Sequence, residues 1–194
     1  MDVIGATSPS YCWIVPESKR QYGYTLVELM LVLTIGGILF SMAVPAFGAM
    51  MARQRLAVGV DTLFADLQLS RSEAITRSRS IFIGRSQDGE NCINTGAWDD
   101  GWMVFVDINK NNQRDTGEQI LRIQQAMHQN IDITFGSLNS TGIRFKSDGT
   151  GTFNGTFTFC DGLGNAAPRA IIFYYSGRPR YALTRSDGSE LVCT

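Results

Sequence analysis

Four arginines near the C-terminus offer anion-recognition chemistry. Gly177-Arg178-Pro179-Arg180 lies between the aromatic-rich runs Phe173-Tyr174-Tyr175 and Tyr181. Glycine permits a tight backbone and proline fixes φ, so such a loop holds two guanidinium forks at a set separation. A guanidinium suits phosphate by bidentate geometry as well as by charge. Arg169 and Arg185 flank the loop, and residues 166–194 carry four arginines against Asp187 and Glu190, a local charge of +2. Residues 88–118 carry seven acids against Lys110 and Arg114, a local charge of -5. Anion contact is therefore expected at the arginine loop and not at Lys110 or Arg114. The alternative is a hairpin whose arginines merely solvate it.

Other residues are less specific. Asp107, Asn109, Asn111, Asp115 and Glu118 fall on places one, three, five, nine and twelve of an EF-hand-like calcium loop. Asn112 replaces the sharp-turn glycine, however, and the flanks read as strands where that site needs helices. A polar hairpin loop, closed by its own Asn and Asp side chains, is the favoured reading, and no metal is assigned. With one histidine, four cysteines and no C-x-x-C pair, a Cys/His metal centre is not expected. His128 has no nucleophile at a readable spacing, and no nucleophile elbow, Walker loop or dinucleotide fingerprint occurs. Neither an enzyme nor a cofactor is expected, and His128 reads as a surface or sheet-edge residue.

Residues 29–52 contain no charge, a run of 24 positions. As a helix this run is about 36 Å long, enough to cross a hydrocarbon core of about 30 Å. It is too long for the apolar region of a removed secretory signal. Lys19 and Arg20 before it balance Arg53 and Arg55 after it, so charge alone does not orient it. Glu28, at the start of this apolar helix, needs a compensating partner in the working state. Gly36, Gly37, Pro45, Gly48 and Gly59 predict a bend or locally melted turn near residues 43–48.

Beyond Arg53 the pattern becomes amphipathic. Leu56, Val60, Leu63, Leu67 and Ala74 recur at helical steps, with Arg53, Asp61, Asp66, Arg71 and Arg77 largely on other faces. From Ser80 the period changes to strand-like runs at 81–83, 102–106, 119–123, 131–135, 143–145, 156–159, 171–175 and 181–183. Clusters of Gly, Asn, Asp and Ser separate them. The expected fold is α+β: a long N-terminal helix, with its first half membrane-spanning, packed on an antiparallel β-sheet domain.

The stretch Lys19-Arg20-Gln21-Tyr22-Gly23-Tyr24-Thr25-Leu26-Val27-Glu28-Leu29-Met30 resembles the processing site of type IV prepilins and type II secretion pseudopilins. The segment Gly101-Trp102-Met103-Val104-Phe105-Val106-Asp107 with Asn109, Asn111, Asp115, Gly117 and Glu118 resembles the FimT and GspH group of minor pilins and pseudopilins. The resemblance implies a pilin-like fold, with residues 1–23 a leader, 24–52 the transmembrane and filament-core helix, 53–79 an amphipathic half and 80–194 the β-rich domain. It also implies a prepilin peptidase cutting after Gly23, N-methylation of Tyr24, and Glu28 pairing with the terminal amine of a neighbouring subunit. Tyr24 stands where the family most often has Phe.

The chain would lie in the inner membrane of a Gram-negative bacterium, with a periplasmic domain, before joining other major and minor pilins in an extracellular pilus. Cys12 would leave with the leader, and three cysteines would face an oxidising compartment. Cys160 with Cys193 is the favoured disulfide because it ties down the C-terminal tail, leaving Cys92 free or as the exchange partner. Gly177-Arg178-Pro179-Arg180 resembles the DNA-binding motif of FimT-like pilins. That implies non-specific binding of DNA phosphates by Arg178 and Arg180, with Arg169 and Arg185 assisting, in DNA uptake during natural transformation. The alternative is a structural subunit without DNA binding: a minor pilin that primes pilus assembly, or a minor pseudopilin.

Overall fold

A computed structural model describes residues 23–93, 95–136 and 141–193. Cys12, Lys19, Arg20 and the rest of the expected leader up to residue 22 lie outside the described residues. The chain divides into two units at Met42 and Ala43.

In the first unit, helix α1 (Leu26–Arg77) begins. The Glu28 amide donates to Thr25 Oγ1 at 3.2 Å, so Thr25 caps the helix and Glu28 occupies the third helical position. This is the T-x-x-E spacing of a capping box, and an acid here also complements the helix dipole. Its large apolar residues, from Leu26 to Met42, are exposed. An 18-residue window reaches a mean hydropathy of 2.2 with none of it buried. The helix is long and apolar enough to cross a membrane. Of the bend or melted turn expected at residues 43–48, the melted turn does not form: the helical backbone continues through Pro45. A proline removes one donor from the ladder, and the turns on both sides keep theirs.

The second unit holds the core. Ala52, Leu56, Val60, Leu63, Leu67 and Ala74 on α1 are buried, as helical spacing requires of a stripe facing the β domain. Asp66 departs from expectation and is buried with them. It follows Leu63 by three positions and so falls on the same face, where it accepts the Trp102 Nε1–H at 2.8 Å. α1 ends with Ser78 at φ 53°, the left-handed position usually given to glycine. The Ser78 amide donates to Ile75 O at 3.2 Å and the Arg79 amide to Ala74 O at 3.2 Å, satisfying the last carbonyls.

Eight strands follow: β1 (Ile81–Arg85), β2 (Trp102–Val106), β3 (Ile120–Gln124), β4 (Ile131–Gly136), β5 (Gly142–Phe145), β6 (Gly155–Asp161), β7 (Arg169–Phe173) and β8 (Pro179–Ala182). They form two four-stranded antiparallel sheets, β3-β2-β1-β5 and β4-β6-β7-β8, as the expected antiparallel β domain, a division that strand composition does not specify. Propensity identifies strands but not their partners, and β5 pairs back to β1 rather than to its chain neighbours. The sheets share one core. Phe145 of β5 meets Phe173 of β7 edge-on at 5.4 Å, and Trp98 meets Phe157 of β6 at 4.9 Å.

Candidate nucleic-acid interface

Gly177 closes the turn between β7 and β8. Its φ is 72°, its amide donates to Tyr174 O at 2.9 Å, and it is buried. A Cβ here would collide with the Gly149 carbonyl oxygen. That carbonyl accepts from Arg71 Nε at 3.1 Å, and the Gly151 amide donates to Tyr175 O at 2.9 Å. Gly177 thus docks the β7–β8 turn on the turn after β5 and on α1. Its part in any interface is to fix the loop. Pro179 then starts β8, an edge strand, where a missing donor is tolerated.

All four C-terminal arginines are exposed, but they do not converge. Arg178 lines a groove with Gln68, Arg71, Ser72 and Thr76 of α1. Arg180 and Arg169 line a second groove at the β8 edge, with Val60, Tyr181 and Thr184. No acid among the described residues lines either groove. Arg180 is steadied by Tyr174, whose Oη accepts from Nη2 at 3.2 Å and whose ring lies 5.6 Å from the guanidinium carbon. Across β8, Tyr181 stacks on Phe64 of α1 at 4.1 Å and donates to Asp61 Oδ1 at 3.0 Å. Arg185 sits apart in a tight turn, its amide donating to Ser189 O at 2.9 Å. The Ser189 side-chain and amide hydrogen bonds, with a smaller pull from Arg185, hold the Asp187 carboxyl below the usual range.

Arg71 is the residue that sequence reasoning missed. Its place, four residues after Leu67 and three before Ala74, marks it as bordering the buried stripe. Its meeting with Arg178 is a long-range contact that no local pattern encodes.

The segment between β2 and β3 is a self-closed polar loop. Asp107 is buried; it accepts the amides of Asn111 at 3.1 Å and Asn112 at 3.2 Å, and pairs with Arg144 Nε at 3.3 Å. Glu118 accepts the Ile108 amide at 2.7 Å and the Asp115 amide at 3.0 Å. Asp115 Oδ2 accepts from the side chains of Asn109 at 2.6 Å and Asn111 at 2.8 Å. The Arg144 guanidinium also reaches Lys110 O at 2.5 Å and Asn112 Oδ1. A fixed guanidinium thus stands among the groups that a calcium loop would turn toward its ion, and no group of three or more His, Cys, Asp or Glu among the described residues could hold a metal.

A disulfide joins Cys160 of β6 to Cys193, with Cα atoms 5.8 Å apart. Cys92 is free and buried, and burial with the nearby Asp107 and Asp88 charges pushes its thiol up to about 12, so it stays protonated and inert. His128 is exposed ahead of β4, its Nδ1 accepting from the Asn130 amide at 3.3 Å. Gly23 has open space around it, and Tyr24 is 86% exposed.

An apolar capped helix whose second half carries antiparallel sheets defines the pilin-like class. The profile of the family described as "Type II transport protein GspH" matches residues 59–177, and that of the "Prokaryotic N-terminal methylation motif" matches residues 18–44. The chain belongs to the GspH family, within the group of type IV minor pilins and pseudopilins. The match ends at Gly177, one residue before Arg178. The pilin-like protein PilA1 of Thermus thermophilus is 32% identical over 97 residues, covering 50% of this chain and 55% of its own. The chain therefore spans about half the length of this curated relative. Among solved structures, the type IV minor pilin FimU of Pseudomonas aeruginosa is similar in fold, with a TM-score of 0.51, 22% identity, and coverage of 67% of this chain and 90% of that one. The minor pseudopilin EpsH of the Vibrio cholerae type II secretion system aligns with a TM-score of 0.48 and 11% identity, over 66% of this chain and 96% of that one.

Proposed function

We propose that this chain is a prepilin, cut after Gly23 and inserted as a minor subunit into a type IV pilus, whose β8 edge binds DNA phosphates without sequence preference. One observation carries the DNA reading: two neighbouring grooves, one holding Arg71 and Arg178 and the other Arg169 and Arg180, have no acid among the described residues of their linings. Arg169, Arg178 and Arg180 are exposed, Arg71 is half-buried with its Nε on Gly149 O, and none of the four has a carboxylate partner among the described residues; guanidinium groups of this kind release counterions when they meet phosphate, which is the sequence-independent part of DNA affinity. Other pilins and a prepilin peptidase are the protein partners in this reading. The inner membrane holds the chain before assembly, and the working state is extracellular DNA capture for natural transformation.

The test is duplex binding by the full chain in non-ionic detergent. Arg178→Gln with Arg180→Gln should weaken every duplex sequence alike, because phosphate contacts carry no base information. The slope of log K against log salt should fall by about 1.8, from ~0.9 per neutralised phosphate. Arg71→Gln, in the same groove as Arg178, should lower it by about 0.9 more, while Arg185→Gln should do less. An unchanged slope and affinity, with the fold intact by circular dichroism, would leave a structural subunit as the better reading. That second reading draws on Gly177, which the turn needs whether or not DNA binds. It also draws on Arg180 and Pro179, which discourage another strand from adding to the β8 edge.

A further inference from the structure

We infer that a basic pocket at the C-terminal end of α1, remote in sequence from the arginine loop, binds a phosphate-type oxyanion. The pocket has a volume of about 590 Å³, and three separate stretches of chain supply its lining. Arg77, Arg79 and Ser80 come from the end of α1 and the turn into β1, Lys110 from the β2–β3 loop, Arg144 from β5, and Lys146 and Asp148 from the turn after β5. Five cations thus face one lining carboxylate. Lys110 shares its loop with Asp107, Asp115 and Glu118, whose carboxylates are taken up by that loop's own amides and side chains. The acids in reach are already committed. Asp148 accepts the Thr150 amide at 2.9 Å and its hydroxyl at 2.6 Å, Glu73 pairs with Arg77, and Asp107 is held by its own loop and Arg144.

Donor capacity remains. Neither the Arg79 guanidinium nor the Lys110 ammonium has a hydrogen-bond or ion-pair partner among the described residues, and each offers several N–H groups. The second, independent observation is Ser80. It is 7% exposed, it lines the pocket, and its Oγ has no hydrogen-bond partner among the described residues. A buried hydroxyl without a partner is costly, and a tetrahedral oxyanion would accept its hydrogen bond. The helix end offers a plainer account of the basic side chains, because cations gather near the negative end of a helix dipole. That accounts for Arg77 and Arg79 but not for Lys110, Arg144 and Lys146 on other elements, nor for the orphan hydroxyl.

The inference does not rest on the DNA reading, and it is tested with a different probe. Amide spectra of the full chain in non-ionic detergent should be titrated with inorganic phosphate against sodium chloride of equal ionic strength. Phosphate should shift Ser80, Lys110 and Lys146 selectively. Arg79→Gln with Lys110→Gln, which breaks no internal bond, should weaken phosphate about tenfold or more, and Ser80→Ala should weaken it several-fold, as expected for charge-assisted hydrogen bonds. Arg53→Gln, which removes one charge elsewhere, should leave it unchanged. Duplex DNA that shifts the same amides would identify a nucleic-acid backbone as the phosphate source. Phosphate binding without that response would identify a small phosphorylated molecule, and either result supports the site. Shifts equal to those given by chloride, or a Ser80→Ala and Arg79→Gln/Lys110→Gln pair that binds phosphate as the parent does, would overturn it.

Discussion

Asp66 is a carboxylate inside the core, held there by the Trp102 indole and the Arg122 guanidinium. Burial pushes its carboxyl above the usual range, against the opposing pull of the Trp102 hydrogen bond and of Arg122, whose Nε lies 3.3 Å from Oδ1. A carboxyl raised by folding contributes most to stability below its unfolded value near 4, and that contribution is lost as pH rises through the folded value. Asp66→Asn keeps an acceptor for the indole but cannot ionise. Its stability relative to the parent should therefore rise between about pH 4 and neutrality in paired urea melts. Asp66→Ala leaves the Trp102 N–H buried without an acceptor and should lose about 1–3 kcal/mol at any pH. Two left-handed positions give opposite expectations. Ser78→Gly relieves a strained cap and should gain up to about 1 kcal/mol. Gly177→Ala meets both a positive φ and the Gly149 carbonyl, and should lose more than about 1 kcal/mol while disturbing Arg178.

At the scale of elements, the C-terminal tail is held by few contacts. An isolated bridge pairs Thr184 with Glu190, Leu191 is buried, and the disulfide anchors Cys193 to β6. Cys193→Ser should cost about 2–4 kcal/mol. Hydrogen exchange should quicken over residues 183–192 but not in β7 and β8, whose ladder from Ala170–Ala182 to Phe173–Pro179 is independent of the tail. Fast exchange through β8 as well would mean that the disulfide also holds the arginines. These elements also show where the sequence could be read. Runs such as Trp102–Val106 and Ile131–Phe135 carry strand composition in themselves, and the stripe from Leu56 to Ala74 carries the helix period, so all eight strands and the buried face of α1 were legible. The division into two sheets was not, because β5 finds β1 across 60 residues through aromatic packing in the shared core. The site was half legible for the same reason: Arg178 and Arg180 stand in a local motif, whereas Arg71 and the basic group around Ser80 exist only once distant segments meet.

At the scale of the whole molecule, a net charge of -1 conceals strong segregation: an uncharged run of 24 residues, an acidic stretch, and cations gathered by folding. The charge at the head of the uncharged run has one physical job at the helix start and, in the proposed function, a second in the filament, and one substitution would confuse them. Glu28 sits at the third helical position, where it favours the helix start, and it is the negative charge that a neighbouring subunit's amine would neutralise in a filament. Glu28→Gln separates them, because glutamine suits the capping position equally but carries no charge. Thr25→Ala removes the cap alone, at a cost of about 0.5–2 kcal/mol to the helix start. If the charge governs assembly, Glu28→Gln and Glu28→Ala should both be cut to a mature N-terminus at Tyr24, by mass spectrometry, yet be depleted from sheared filaments. Thr25→Ala should assemble nearly as the parent does. If the cap governs, Glu28→Gln should assemble and Thr25→Ala should fail. Replacing Gly23 with a bulkier residue should stop the sequence earlier, leaving uncut precursor in the membrane fraction, and a mature N-terminus anywhere but Tyr24 would remove the basis for assigning Glu28 either job in a filament.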